Sequence, residues 1–65
     1  MMKDNTKHFT VREVAIDLDT SERLTRRLIL TGGLPAIRLG RLLRIPKAEF
    51  EAWKRERRVT PNELR

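Results

Sequence analysis

Thr10-Val-Arg-Glu-Val-Ala-Ile-Asp-Leu18-Asp-Thr-Ser21-Glu-Arg-Leu-Thr-Arg-Arg-Leu-Ile-Leu-Thr31 is the stretch on which the architecture turns. Thr10 stands three positions ahead of Glu13, the spacing of a capping box, in which each side chain satisfies a backbone amide of the other residue. A short helix is predicted from Val11 to Leu18. At about 100° per residue, Val11, Val14, Ala15 and Leu18 gather within an arc of about 100°, with Arg12, Glu13 and Ile16 on the far side, so the arc is expected to be buried. Asp19-Thr20-Ser21 groups turn and cap formers, after which Glu22 to Thr31 again reads helical. That second helix should stop at Gly32-Gly33, where a residue with positive φ can close the last turn. A connection of about three residues makes the pair a tight two-helix unit.

Beyond Gly33 the apolar period changes to two. Ala36-Ile-Arg-Leu39 and Leu42-Leu-Arg-Ile45 flank Gly40-Arg41 and read as a β-hairpin. In this reading Ile37 and Leu39 share the inner face of the first strand and Leu43 and Ile45 that of the second. Arg38 and Arg44 then point outward, and Leu42 falls on the outer face. Glycine at the first central position suits a type II′ turn. Pro46 suits the first turn of a helix, and from Lys47 to about Arg57 the residues Phe50, Trp53 and Arg57 follow at i, i+3 and i+7, so Phe50 and Trp53 should close the core over the hairpin. The expected fold is α+β: two short helices joined as a helix-turn-helix, a two-stranded β-hairpin and a C-terminal helix. Residues 9–57 form the domain, 1–8 a flexible arm and 58–65 a basic tail that should fray.

A chain of 65 residues with a net charge of +6 has room for one small domain. Cysteine is absent, so neither a disulfide nor a thiolate zinc site can staple it. No apolar run approaches the roughly 18 residues needed to cross a bilayer, and the first residues have no signal-peptide core, which gives the expectation of a protein that stays where it is made. The charge is unevenly placed. Residues 1–22 carry three bases and five acids, residues 49–65 five bases and four acids, while residues 23–48 carry seven bases and no acid. Such a window would attract a polyanion, and nucleic acid is the partner it suits best. A membrane-surface helix is disfavoured, because glycine and proline interrupt the basic window.

The second helix concentrates this charge. With Leu24 at zero on a helical wheel, Thr25, Leu28 and Ile29 lie at about 100°, 40° and 140°, while Arg23, Arg26 and Arg27 lie at about 260°, 200° and 300°. Three guanidiniums should therefore face away from the core, on a helix whose width fits the major groove of B-DNA. Guanidinium groups can fork onto phosphates or onto the O6/N7 edge of guanine. On the hairpin, Arg38, Arg41 and Arg44 are candidate contacts, with Arg41 at the tip able to reach a phosphate or a narrow minor groove. Thr10, Ser21 and Lys47 are candidate contacts to the sugar-phosphate backbone. Ile16, Leu30 and Leu42, apolar on outer faces, are where neighbouring copies would touch.

Enzyme chemistry finds little support. His8 and Ser21 are the only residues of their types, Asp17 and Asp19 diverge by about 200° on a helix, and Gly32-Gly33 lacks the Gly-Lys-Ser/Thr of a phosphate loop. No catalytic residue, metal site or cofactor is expected. A protein-binding adaptor or inhibitor is the rival from another class. Single-stranded RNA would call for an aromatic platform larger than Phe9, Phe50 and Trp53.

From about Phe9 to Lys54 the chain resembles the excisionase-type DNA-binding proteins, which have a MerR-like winged-helix domain. Gly32-Gly-Leu-Pro-Ala-Ile-Arg-Leu-Gly-Arg41 is similar to that family's Gly-x-Leu-Pro-Ala-x-Arg-Ile-Gly-Arg wing. Arg44-Ile-Pro-Lys-Ala-Glu-Phe-Glu-Ala-Trp53 resembles its Arg-Ile-Pro-[basic]-x-[acidic]-Leu-x-x-Trp helix start, and Phe9-Thr-Val-Arg-Glu-Val-Ala15 its Leu-Thr-x-x-Glu-Ala-Ala opening. The resemblance implies that the second helix enters the major groove and the wing reaches the adjacent minor groove or backbone, which puts Arg23, Arg26, Arg27 and Arg41 on reading positions. It also implies a recombination directionality factor in a bacterial cytoplasm. Such a factor binds adjacent double-stranded sites cooperatively beside copies of itself, bends the DNA and helps a phage or mobile-element integrase excise. Other proteins with this domain are transcription regulators. The chain departs from the family at Asp17, Asp19, Thr20 and Thr25, where Leu, Gly, Val and Val are usual, and at Arg26, where an aromatic residue is common.

Overall fold

Where local chemistry is strongest, the elements begin and end as their caps dictate. A computed structural model describes residues 7–59. The order is β1 (His8–Phe9), α1 (Val11–Asp17), α2 (Glu22–Thr31), β2 (Ile37–Leu39), β3 (Leu42–Pro46) and α3 (Lys47–Glu56). The capping box forms as the spacing requires: Glu13 N–H donates to Thr10 Oγ1 at 3.0 Å and Thr10 N–H to Glu13 Oε1 at 2.9 Å. Ser21 caps α2, its Oγ accepting from Leu24 N–H at 3.0 Å. Between the helices the chain reverses through Asp19 at φ 56°, the left-handed region that favours glycine. The reversal is held by the Thr20 N–H bond to Ala15 O at 2.9 Å.

The buried stripe of α1 is Val11, Val14 and Ala15, with Leu18 half-buried just beyond the helix end. On α2 the buried side centres on Thr25, which has no exposed surface, with Leu28 and Ile29 flanking it. Leu24, placed by the wheel with the core residues, is 41% exposed. Thr25 can take this place because its hydroxyl donates to Ser21 O at 2.9 Å, so no polar group is orphaned.

The core joins these stripes to Leu34, Ile45, Phe50 and Trp53. Leu34 pins the connection between α2 and β2, at 2% exposure. Phe50 meets Phe9 edge-on at 5.8 Å and stacks on Trp53 at 6.3 Å, so α3 does close over the sheet as expected. On the surface Lys54 of α3 reaches Asp17 of α1 at 3.0 Å. The hydrogen bond to that carboxylate holds the Lys54 pKa above the ordinary lysine value, against a smaller opposing effect of burial. A raised lysine pKa adds stability that is complete below the ordinary lysine range and is lost as pH climbs through the raised value, so the strap holds throughout the neutral range.

The sheet differs from the sequence reading in two respects. It has three antiparallel strands in the order β1-β3-β2, because His8 and Phe9 pair with Pro46 and Ile45 on the free edge of β3. Lys7 and His8, assigned to the arm, are thereby drawn into the fold, with Lys7 O accepting from Lys47 N–H at 2.8 Å. The rest of the arm, residues 1–6, and the end of the tail, residues 60–65, lie outside the described residues.

The second difference concerns the faces of the wing. The two-residue turn pairs Leu39 with Leu42, Arg38 with Leu43 and Ile37 with Arg44. Residues directly opposite share a face. Ile37 and Leu39 therefore lie with Leu42 and Arg44 on the open face, at 41%, 58% and 53% exposure for the three apolar residues, and Arg38 lies on the side of Leu43 and Ile45. The alternation along each strand was read correctly, but the turn fixes their relative parity, and it puts the two apolar pairs on opposite faces. Gly40 alone in the turn has positive φ, at 64°, which agrees with the type II′ expectation.

Candidate nucleic-acid interface

Arg23, Arg26 and Arg27 are all exposed, on the side of α2 away from Thr25. With the buried side centred on Thr25, Arg23 and Arg27 stand nearly opposite the core and Arg26 stands on the flank. Arg26 pairs with Glu22 one turn back at 3.5 Å, both side chains being about half exposed. Such a pair contributes no more than roughly 0.5 kcal/mol, so it yields readily to a better anion.

A cleft of about 280 Å³ separates this flank of α2 from the wing. Arg12 of α1, Arg26 of α2, and Arg41 and Arg44 of the wing line it, with Thr10 and Glu22. The cleft thus brings the flank of α2 and the hairpin tip to one side of the molecule. Arg44 is half-buried and spends one nitrogen on Leu43 O at 2.9 Å, whereas Arg41 is exposed at the turn. Arg38 is exposed on the face of the hairpin opposite to Arg44 and does not line the cleft. The expectation that Arg38 and Arg44 point the same way is corrected accordingly: they are paired out of phase by the turn.

Thr10 lies in the cleft, but its oxygen accepts the Glu13 amide, and the Ser21 oxygen likewise accepts that of Leu24. Each hydroxyl retains its own proton to donate. Lys47 lines a separate depression with Lys7, Ala48 and Glu51, and so is not gathered with the arginines. Arg12 was passed over in the sequence because it fell on the far side of the α1 stripe. That position, opposite Val11, Val14 and Ala15 and next to the cap, was the available signal.

The far end of α2 is fixed from α3. Gly33 takes φ 77° and turns the chain away from the helix, while Leu28 O accepts the amides of Gly32 and Leu34 at 2.8 and 3.1 Å. Gly32 O accepts twice, from Trp53 Nε1 at 3.1 Å and from Arg57 Nη2 at 2.7 Å. The Arg57 guanidinium also lies over the Trp53 ring, 4.5 Å from its centre.

Two helices at a tight turn, with the second presenting its basic side beside a hairpin, match the description found by comparison with known families: a family model described as a helix-turn-helix domain covers residues 9–58. The chain belongs to the DNA-binding helix-turn-helix domain family. No curated protein matches the sequence. In this helix-turn-helix domain α1 and α2 form the motif that names the family, and β2 and β3 form the wing beside it. Double-stranded DNA is the partner of such domains, which are typically without catalytic activity. Among the described residues no helix is long and apolar enough to cross a membrane.

Proposed function

We propose that this helix-turn-helix domain is an excisionase: a sequence-specific protein that binds adjacent sites on double-stranded DNA cooperatively, bends the duplex and promotes excision by an integrase in a bacterial cytoplasm. One observation carries the reading. Arg26 on the flank of α2 and Arg41 at the tip of the wing line the same cleft, so one approach to a duplex engages helix and wing together. In the proposed complex α2 lies in the major groove, with Arg23 and Arg27 forked onto base edges and Arg26 on a phosphate. Arg41 reaches the neighbouring minor groove or backbone, Thr10 and Ser21 donate to phosphates, and Arg44, Arg38 and the more distant Lys47 add field strength. The resemblance of Gly32–Arg41 to the wing and of Arg44–Trp53 to the helix start of the excisionase-type proteins supports the excision reading, and a transcription regulator with the same domain is the alternative that the footprint separates from it. Residues 1–6 and 58–65 are proposed as flanking segments of a single domain.

Footprinting on the DNA that flanks the protein's own gene tests the proposal. Several adjacent protected repeats beside a recombination junction are expected. A single protected site over a promoter would assign the domain to transcriptional control, and a bare footprint would assign it to a protein partner.

A further inference from the structure

Arg23, Arg26, Arg27 and Leu30 follow the i, i+3, i+4, i+7 spacing that aligns side chains along one side of a helix, and all four are exposed. Leu30 is the odd member. At 80% it is the most exposed large hydrophobic residue among those described, and the cleft between α2 and the wing is lined without it. Packing gives no reason for a leucine here. Lys, Gln or Glu would serve an exposed helix position about as well by propensity, and a base would extend the cationic row.

The end of the helix that bears Leu30 is also held in place from the C-terminal segment. The last carbonyls of a helix carry negative partial charge, and α2 has no basic residue in its own last turn. Charge and donors arrive instead from α3: Arg57 and Trp53 both donate to Gly32 O, and Leu28 O is saturated by two amides. These bonds at Leu28 O and Gly32 O fix the last turn of α2, and with it the position of the exposed Leu30.

A branched aliphatic group set among guanidiniums, on a helix of a width that fits the major groove, meets one apolar feature there: the C5-methyl group of thymine. We infer that Leu30 is a specificity residue that reads thymine by packing on this methyl group, while the three arginines hold phosphates and guanine edges. The inference rests on the docking of α2 in the major groove proposed above. It adds a base that the arginines do not recognise.

The test removes the methyl group from one side and the leucine from the other. A binding site is selected from random duplex DNA with the wild-type protein, and each thymine is then replaced singly by deoxyuridine, which lacks only the methyl. Affinities of wild type and Leu30→Ala are measured by fluorescence anisotropy at one salt concentration. At one or two positions deoxyuridine should cost the wild type about three- to fivefold, the scale of one buried methyl group. The same replacements should cost Leu30→Ala nothing, its affinity for the unmodified site being already lower by a similar factor. Melting of Leu30→Ala should match the wild type, since the side chain supports no packing. Deoxyuridine that weakens both proteins equally, or neither, overturns the role of Leu30 and leaves the docking of α2 in place. Failure to select any site overturns the docking itself.

Discussion

Thr25 is wholly buried, yet its hydroxyl costs little, because Ser21 O accepts both the Thr25 hydroxyl at 2.9 Å and the Thr25 amide at 3.0 Å. Replacing Thr25 by Val would remove one of two donors and leave no group unsatisfied, while adding a buried methyl. Thr25→Val is expected to hold or raise stability, by up to about 1 kcal/mol or several degrees in Tm, as read by thermal circular dichroism. A loss larger than that would mean the hydroxyl bond is needed to seat α2. Asp19 presents the reverse case. Its φ of 56° is one that Asp tolerates better than a β-branched residue. Asp19→Gly should match or slightly exceed wild-type stability, whereas Asp19→Val should lose about 1–3 kcal/mol, checked by the same melts. These two positions account for much of the polar character that separates this chain from its resembling family: one is a satisfied core hydroxyl, the other a turn residue in a glycine conformation.

At the scale of elements, the position of α2 is set from both ends. Ser21 fixes its start, the tight reversal through Asp19 fixes its packing on α1, and Trp53 and Arg57 fix its end through Gly32 O. Arg57 is therefore expected to act by positioning α2 rather than by offering its charge to DNA. Arg57→Ala should lower stability by about 1 kcal/mol and weaken specific DNA binding, with the slope of log affinity against log salt unchanged. A slope reduced by about one would instead make Arg57 a phosphate contact. The wing shows how an element can be legible while its orientation is not. Both strands and the turn between Leu39 and Leu42 could be read from alternation and glycine, but the faces depend on cross-strand pairing, and the two-residue turn decides that pairing. β1 left no pattern at all, since two residues, His8 and Phe9, are too few to show a period.

For the whole molecule, the arrangement of α2 and wing argues for an interface dominated by phosphates. If about five phosphates are neutralised, log affinity should fall against log salt with a slope of about −4 to −5. Arg41→Ala should weaken binding evenly on cognate and random duplex and reduce that slope by about one. Arg23→Ala should relax sequence choice by roughly 1–3 kcal/mol at the base it contacts. Equal losses on both duplexes for Arg23 and Arg41 would show that α2 is not the reading element.

The sequence by itself determined the three helices, the hairpin and its turn, the cap at Thr10, a cap for α2 within Asp19–Ser21, and the exposure of Arg23, Arg26 and Arg27. Each of these follows from interactions within a few residues or from the period of one element. Only the tertiary structure decided which face of the wing is open, that His8 and Phe9 complete the sheet, that Arg12 joins Arg26 and Arg41 at one cleft, and that α3 holds the end of α2. Those outcomes depend on pairing and packing between segments far apart in the chain, which leave no periodic trace in any one of them.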